Sequence, residues 1–314
     1  MVEILRPMST GELMDRTVVL YKRNFKLFVG IASLGPATYL VFQLLTISSA
    51  SLRAGTPNRI NPFSTASMGF GFLAGVLIML AGMAIAHGAT VRAVAAVHLG
   101  FPIKILEAYK SLNGKIWRVL GVFVCMLLLA SVAAIGGTLV VIILIAGFSM
   151  LFTPNSGVAG RTFFMFVGFG MVLIVAVSAM IVWVRYALAV ACCVVEDLGV
   201  MKSLKRSAAL SKGSRFRIFL IYLVFFTLNM LVGYALLALA KAAGPLIPNI
   251  PGRLILIYLA GFISGVLTGP LATIGIALVY YDERVRKEAF DLQLMMSSLD
   301  PPAPAAFTAA PVQP

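Results

Sequence analysis

EDLGVMKSLKRSAALSKGSRFR, residues 196–217, is the most charged interval of the chain, and it stands between two long apolar runs. With Arg185 just ahead of it, it carries seven basic residues: Arg185, Lys202, Lys205, Arg206, Lys212, Arg215 and Arg217. Residues 162–184 before it and 218–240 after it contain no Asp, Glu, Lys or Arg. Each run is 23 residues long, and a helix of that length rises about 34 Å, enough to cross a hydrocarbon core about 30 Å thick. The basic stretch therefore joins two membrane spans, and its charge assigns it to the cytoplasmic face.

Composition agrees. The 314 residues are 61% hydrophobic and only 11% charged, against about 25% charged in a soluble domain. The net charge of +14 is spread over short clusters beside apolar runs. That pattern suits anionic lipid headgroups and argues against nucleic acid. Cys125, Cys192 and Cys193 fall in or beside apolar runs without CxxC or Cys/His spacing, so they read as small buried hydrophobes, with no metal and no cofactor implied.

Further uncharged runs place four more spans, at about 27–52, 68–91, 119 to roughly 149, and 254–281. The fold class is all-α: a polytopic membrane protein of six transmembrane helices. Residues 1–26 read as a cytoplasmic amphipathic lead-in, 27–296 as the six-helix domain, and 297–314 as a disordered Pro/Ala-rich tail. Ser9 and Glu12 fit a capping box, and Leu13, Thr17, Leu20 and Phe28 share one side of the helix that follows, which is expected to lie along the inner surface. A second amphipathic piece is FPIKILEAYKSLNGKIWR (101–118), in which Ile103, Leu106 and Tyr109 alternate with Lys104, Glu107 and Lys110. Twenty basic residues fall on one side of these spans and five on the other, so both termini are expected in the cytoplasm.

An aromatic–basic pair opens a span three times, at Phe25-Lys26, Trp117-Arg118 and Phe216-Arg217, spaced by 92 and 99 residues. Three tandem helical hairpins would give this, and so would an interface that collects aromatics and cations. Gly35-Pro36 and Gly269-Pro270 interrupt spans 1 and 6 at matching depths, as a substrate site or as structural kinks. Gly71 with Gly75, and Gly261, Gly265 and Gly269, have the GxxxG spacing of close helix packing, within the bundle or between two copies. His87, Arg92 and Arg185 are ionisable groups in or near spans. The arginines can snorkel, and His87 reads as a neutral hydrogen-bonded group or a proton relay. Asn229 reads as an interhelical hydrogen bond, and Tyr280-Tyr281 as headgroup-level tyrosines. Lys202, Lys205, Arg206, Arg215 and Arg217 form a candidate lipid or partner surface. No catalytic motif or in-span carboxylate pair is present.

Three blocks, RPMSTGELMDRTVVLYKRNFKLFVGI (6–31), ALAVACCVVEDLGVMKSLKRSAALSKGSRFRIF (187–219) and GPLATIGIALVYYDERVRKEAFDLQL (269–294), resemble the bacterial glycerophosphoryl diester phosphodiesterase membrane-domain family. The resemblance implies a six-helix protein of the bacterial inner membrane. In some members this part accompanies a soluble phosphodiesterase barrel, and that barrel's histidine and carboxylate metal site is missing here. The expected function is non-enzymatic: organising or assisting partners at the cytoplasmic membrane surface, with no oligomeric state implied. The alternatives are transport or lipid handling through broken helices 1 and 6, or service as accessory membrane domain to a separately encoded phosphodiesterase.

Overall fold

A computed structural model describes residues 7–54, 62–149 and 157–289. The tail at 297–314 and the loop positions 55–61 and 150–156 lie outside the described residues. All regular structure among the described residues is helical: α1 (Thr10–Arg23), α2 (Phe25–Ala32), α3 (Leu34–Ala54), α4 (Pro62–His98), α5 (Ile105–Lys110), α6 (Ile116–Ser149), α7 (Gly157–Tyr186), α8 (Ala189–Val195), α9 (Val200–Leu210), α10 (Arg215–Ala243) and α11 (Ile250–Glu288). Among the described residues, six helical stretches are long and apolar enough to cross a membrane: Phe25–Ser48, Gly71–His98, Ile116–Val140, Phe166–Val195, Arg215–Leu246 and Ile250–Glu288.

Long helices consecutive in sequence lie side by side, α3 with α4, α6 with α7 and α10 with α11. The first member of each pair also packs on the second member of the pair before it: α6 on α4, α10 on α7, and α3 back on α11. The six spans thus close into a ring. Inside it, α4, α8 and α11 touch one another.

Span 4 extends beyond its sequence-based limit of residue 184. It breaks at Ala187-Leu188 and continues as α8, in which Ala189 to Val194 are all buried. A helix of Ala, Val and Cys is apolar on every side, and its small side chains let four other helices approach it. Burial thins out along each span away from this end. In α4 the buried positions begin at Gly82, in α6 they are Val119, Val122 and Met126, and in α10 they are Ile218, Ile221 and Phe225 until Ala240.

The helix α1 begins with the capping box, Ser9 N–H to Glu12 Oε2 at 2.7 Å and Glu12 N–H to Ser9 Oγ at 3.2 Å. Leu13, Thr17 and Leu20 are buried along one side of it, and Phe28 is buried in α2. The helix is tied to α11 at both ends, Met8 to Asp282 and Tyr21 to Leu267. Those α11 positions are 15 residues apart, or about 22 Å along a helix. It therefore runs lengthwise and antiparallel to the end of α11, instead of lying across the bundle end as its sequence suggests.

Candidate functional site

The last turns of α11 form the centre of the charged end. Tyr280, Arg284 and Glu288 repeat at four-residue spacing and face α8 and α9. The Tyr280 hydroxyl donates to Glu196 Oε1 at 2.7 Å. Arg206 reaches Glu196 through Nε at 3.0 Å and Glu288 through Nη2 at 2.5 Å. Arg284 Nε pairs with Glu288 at 3.2 Å. Two arginines thus neutralise two glutamates.

A second network faces α1 and α10. Asp282 Oδ1 accepts the Met8 N–H at 2.6 Å, and its Oδ2 accepts from Arg217 Nη1 and from Arg286 Nε, the latter at 2.7 Å. The Met8 carbonyl accepts from Arg217 Nη2 at 2.8 Å and Arg286 Nη2 at 2.6 Å. Glu283 pairs with Lys287 at 3.0 Å. The Asp282 side chain is 0% exposed, and a buried carboxylate persists only when opposing charge and hydrogen bonds replace its water. The three sequence blocks quoted above, far apart in the chain, all meet in these two networks.

Three of the short helices, α1, α5 and α9, also send a hydroxyl to a main-chain carbonyl where a long helix is weakened. Span 1 changes helix at Ser33, and Pro36 has no N–H for the carbonyl of Ala32. The Tyr109 hydroxyl, from α5, donates to the adjacent carbonyl of Ile31 at 2.5 Å. Span 6 is not interrupted, since α11 runs straight through Pro270. The Tyr21 hydroxyl, from α1, donates to the Leu267 carbonyl at 2.6 Å, beside the Val266 carbonyl that Pro270 cannot serve. At the α7–α8 break the Arg185 carbonyl accepts from Ser207 at 3.2 Å and Ser211 at 3.1 Å, both in or just after α9. Burial raises both tyrosine pKa values, so both phenols stay protonated donors. Irregular backbone in an apolar bundle needs such partners. Tyr21→Phe and Tyr109→Phe are expected to cost about 1 kcal/mol each, read as a lowered melting temperature in detergent, with the double variant close to additive.

The other candidate residues divide. Lys202, Lys205 and Arg215 point outward, whereas Arg206 and Arg217 turn into the ion networks. A Cβ on Gly265 would stand 3.1 Å from Pro36 Cγ, and one on Gly35 3.5 Å from Met83 Cα, so the span 1 break is packed against α11 and α4. Gly75 lies against Phe42, while a Cβ on Gly71, Gly261 or Gly269 would meet nothing within 4 Å among the described residues. Of the glycines between α3 and α4, Gly82 leaves least room for a Cβ, against Thr38, outside the GxxxG spacing. His87 Nδ1 and Thr273 Oγ1 are 3.1 Å apart, joining α4 to α11. Asn229 donates to Thr268, joining α10 to α11. The Arg185 guanidinium sits over the Tyr186 ring at 5.6 Å, and Arg92 is exposed between buried neighbours. Tyr280 and Tyr281 are buried and not at a headgroup surface, because α11 continues inward among the other helices. Among the described residues no group of three or more His, Cys, Asp or Glu side chains is placed to hold a metal ion.

The sequence alone does not reveal the partners of Tyr21, Tyr109, Ser207 and Ser211. The signal it held was the Tyr-Lys pair at 21–22 and 109–110, in or at the last turn of two short helices. Comparison with protein-family models, with curated proteins and with solved structures returned no match.

Proposed function

We propose that this chain is a non-enzymatic, multi-pass protein of a bacterial cytoplasmic membrane that organises a partner at the cytoplasmic surface. The observation that carries this reading is the division of labour at the charged end. Its acids and half of its cations brace the helices internally, while Met201, Lys202 and Lys205 on α9 remain exposed on a backbone held from behind by buried Ser203, Leu204, Ser207 and Leu210. A rigid cationic face costs little ordering entropy when a partner docks. The twenty-to-five distribution of basic residues supports the cytoplasmic placement of both termini. The resemblance to the glycerophosphoryl diester phosphodiesterase membrane-domain family makes a separately encoded phosphodiesterase one candidate partner.

The reading includes three related hairpins, each led by a short amphipathic helix. Leu99-Gly100, Gly114 and Trp117-Arg118 recur 99 residues later as Leu198-Gly199, Gly213 and Phe216-Arg217. Gly114 and Gly213 both have positive φ, +80° and +91°. Arg118 pairs with Asp197, just past the second span of its hairpin, as Arg217 pairs with Asp282 in the next. Transport through helices 1 and 6 is the weaker alternative, because Pro36 on Gly265 is a packing contact.

The test is affinity capture from cross-linked membranes with the K202E/K205E variant. Arg206 is left intact because it braces Glu196 and Glu288. A protein recovered with wild type and lost, by tenfold or more, with the variant is the expected result. An identical set of captured proteins overturns the proposal.

A further inference from the structure

The turn between α9 and α10, SKGS at 211–214, is held from three sides. Lys287 donates to the carbonyls of Leu210 and Lys212, the latter at 2.8 Å. The Ser211 hydroxyl donates to the Arg185 carbonyl at 3.1 Å. Gly213 closes the turn at φ +91°, a conformation that side chains rarely adopt. From this fixed backbone Lys212, Arg215 and Phe216 project outward, Phe216 with 76% of its surface exposed. The acids on the neighbouring helices are already engaged: Glu196 and Glu288 with Arg206 and Arg284, Asp282 and Glu283 with Arg217, Arg286 and Lys287. Among the described residues no carboxylate pairs with Lys212 or Arg215. From residue 218 the chain is uncharged for 23 positions.

Two exposed cations, three residues apart across the turn, thus precede an exposed aromatic ring at the start of an apolar helix. That order, positive charge then apolar surface, is complementary to a phosphate above acyl chains. We propose that the α9–α10 turn binds the headgroup of an anionic phospholipid, with Lys212 and Arg215 on the phosphate and Phe216 against the start of the acyl chains. An acidic protein segment fits less well, because it would leave Phe216 uncovered beside the lipid-facing stretch of α10. The proposal rests on the membrane-spanning reading of α10 but not on the partner face at Lys202 and Lys205.

The test is native mass spectrometry of the full chain released from nanodiscs of mixed phosphatidylcholine and phosphatidylglycerol. Wild type is expected to retain phosphatidylglycerol in preference to phosphatidylcholine. K212E/R215E is expected to lose that preference by roughly thirtyfold or more, from about 1 kcal/mol per surface cation. K212Q/R215Q guards against misfolding: with an unchanged melting temperature, it should lose most of the preference too. K202E/K205E should retain the lipid, so failure of the partner reading leaves this result intact. Equal retention of the two lipids by wild type, or undiminished retention by a folded K212Q/R215Q, overturns the proposal.

Discussion

Asp282→Ala is expected to lower the melting temperature of the detergent-solubilised protein more than any single surface charge change, and to free the chain around Met8 for proteolysis. Removing the carboxylate strips the Met8 N–H of its acceptor and leaves Arg217 and Arg286 together on the Met8 carbonyl. The carboxylate itself is buried, with the Arg217 and Asp282 side chains 14% and 0% exposed, while Arg286 covers it from the solvent side at 40%. Breaking a buried pair by deleting one partner costs about 3–5 kcal/mol, chiefly because a buried charge is left uncompensated. Arg217→Ala should cost a similar amount, and the double variant less than the sum, since the two act on one network. Scanning fluorimetry measures the first effect and limited proteolysis near residue 8 the second. A melting temperature equal to wild type for Asp282→Ala would mean that the clasp contributes nothing.

Gly82→Val is expected to be the other severe substitution. A Cβ at residue 82 would stand 2.4 to 2.9 Å from Thr38 Oγ1, Cγ2 and Cβ, and Thr38 is too short to swing aside. Helices α3 and α4 must then separate, and overpacking of this kind costs about 1–3 kcal/mol or more. Thr38→Ala added to Gly82→Val should recover part of the loss. Gly71→Val should be close to neutral, because among the described residues nothing lies within 4 Å of the position where its Cβ would stand. Melting temperatures of the three variants and wild type in one detergent decide the matter. Equal effects at 71 and 82 would remove Gly82 as the contact that sets the α3–α4 distance.

Six apolar spans are legible in this sequence because run length and charge interruption are properties of a line. The bearing of individual side chains is not. Arg185 reads as the end of span 4, yet the small apolar residues after it form the buried α8. Arg206 and Arg217 share the basic stretch with Lys202 and Lys205, but Glu288 and Asp282, 82 and 65 residues away, draw them inward. Tyr280 and Tyr281 have the composition of a membrane exit, and only the position of α11 among its neighbours explains their burial. Gly82 escapes the GxxxG pattern because its contact, Thr38, lies in another helix, where spacing along one helix carries no information.

The four hydroxyl-to-carbonyl contacts have a direction in time. Tyr109 reaches back to Ile31, and Ser207 and Ser211 reach back to Arg185, so each of these links forms with chain already made. Tyr21 alone must wait, because its acceptor on Leu267 belongs to the final helix. The Tyr21 link can therefore close only after the final helix has been made, whereas the Arg217 contact to the Met8 carbonyl needs only α10.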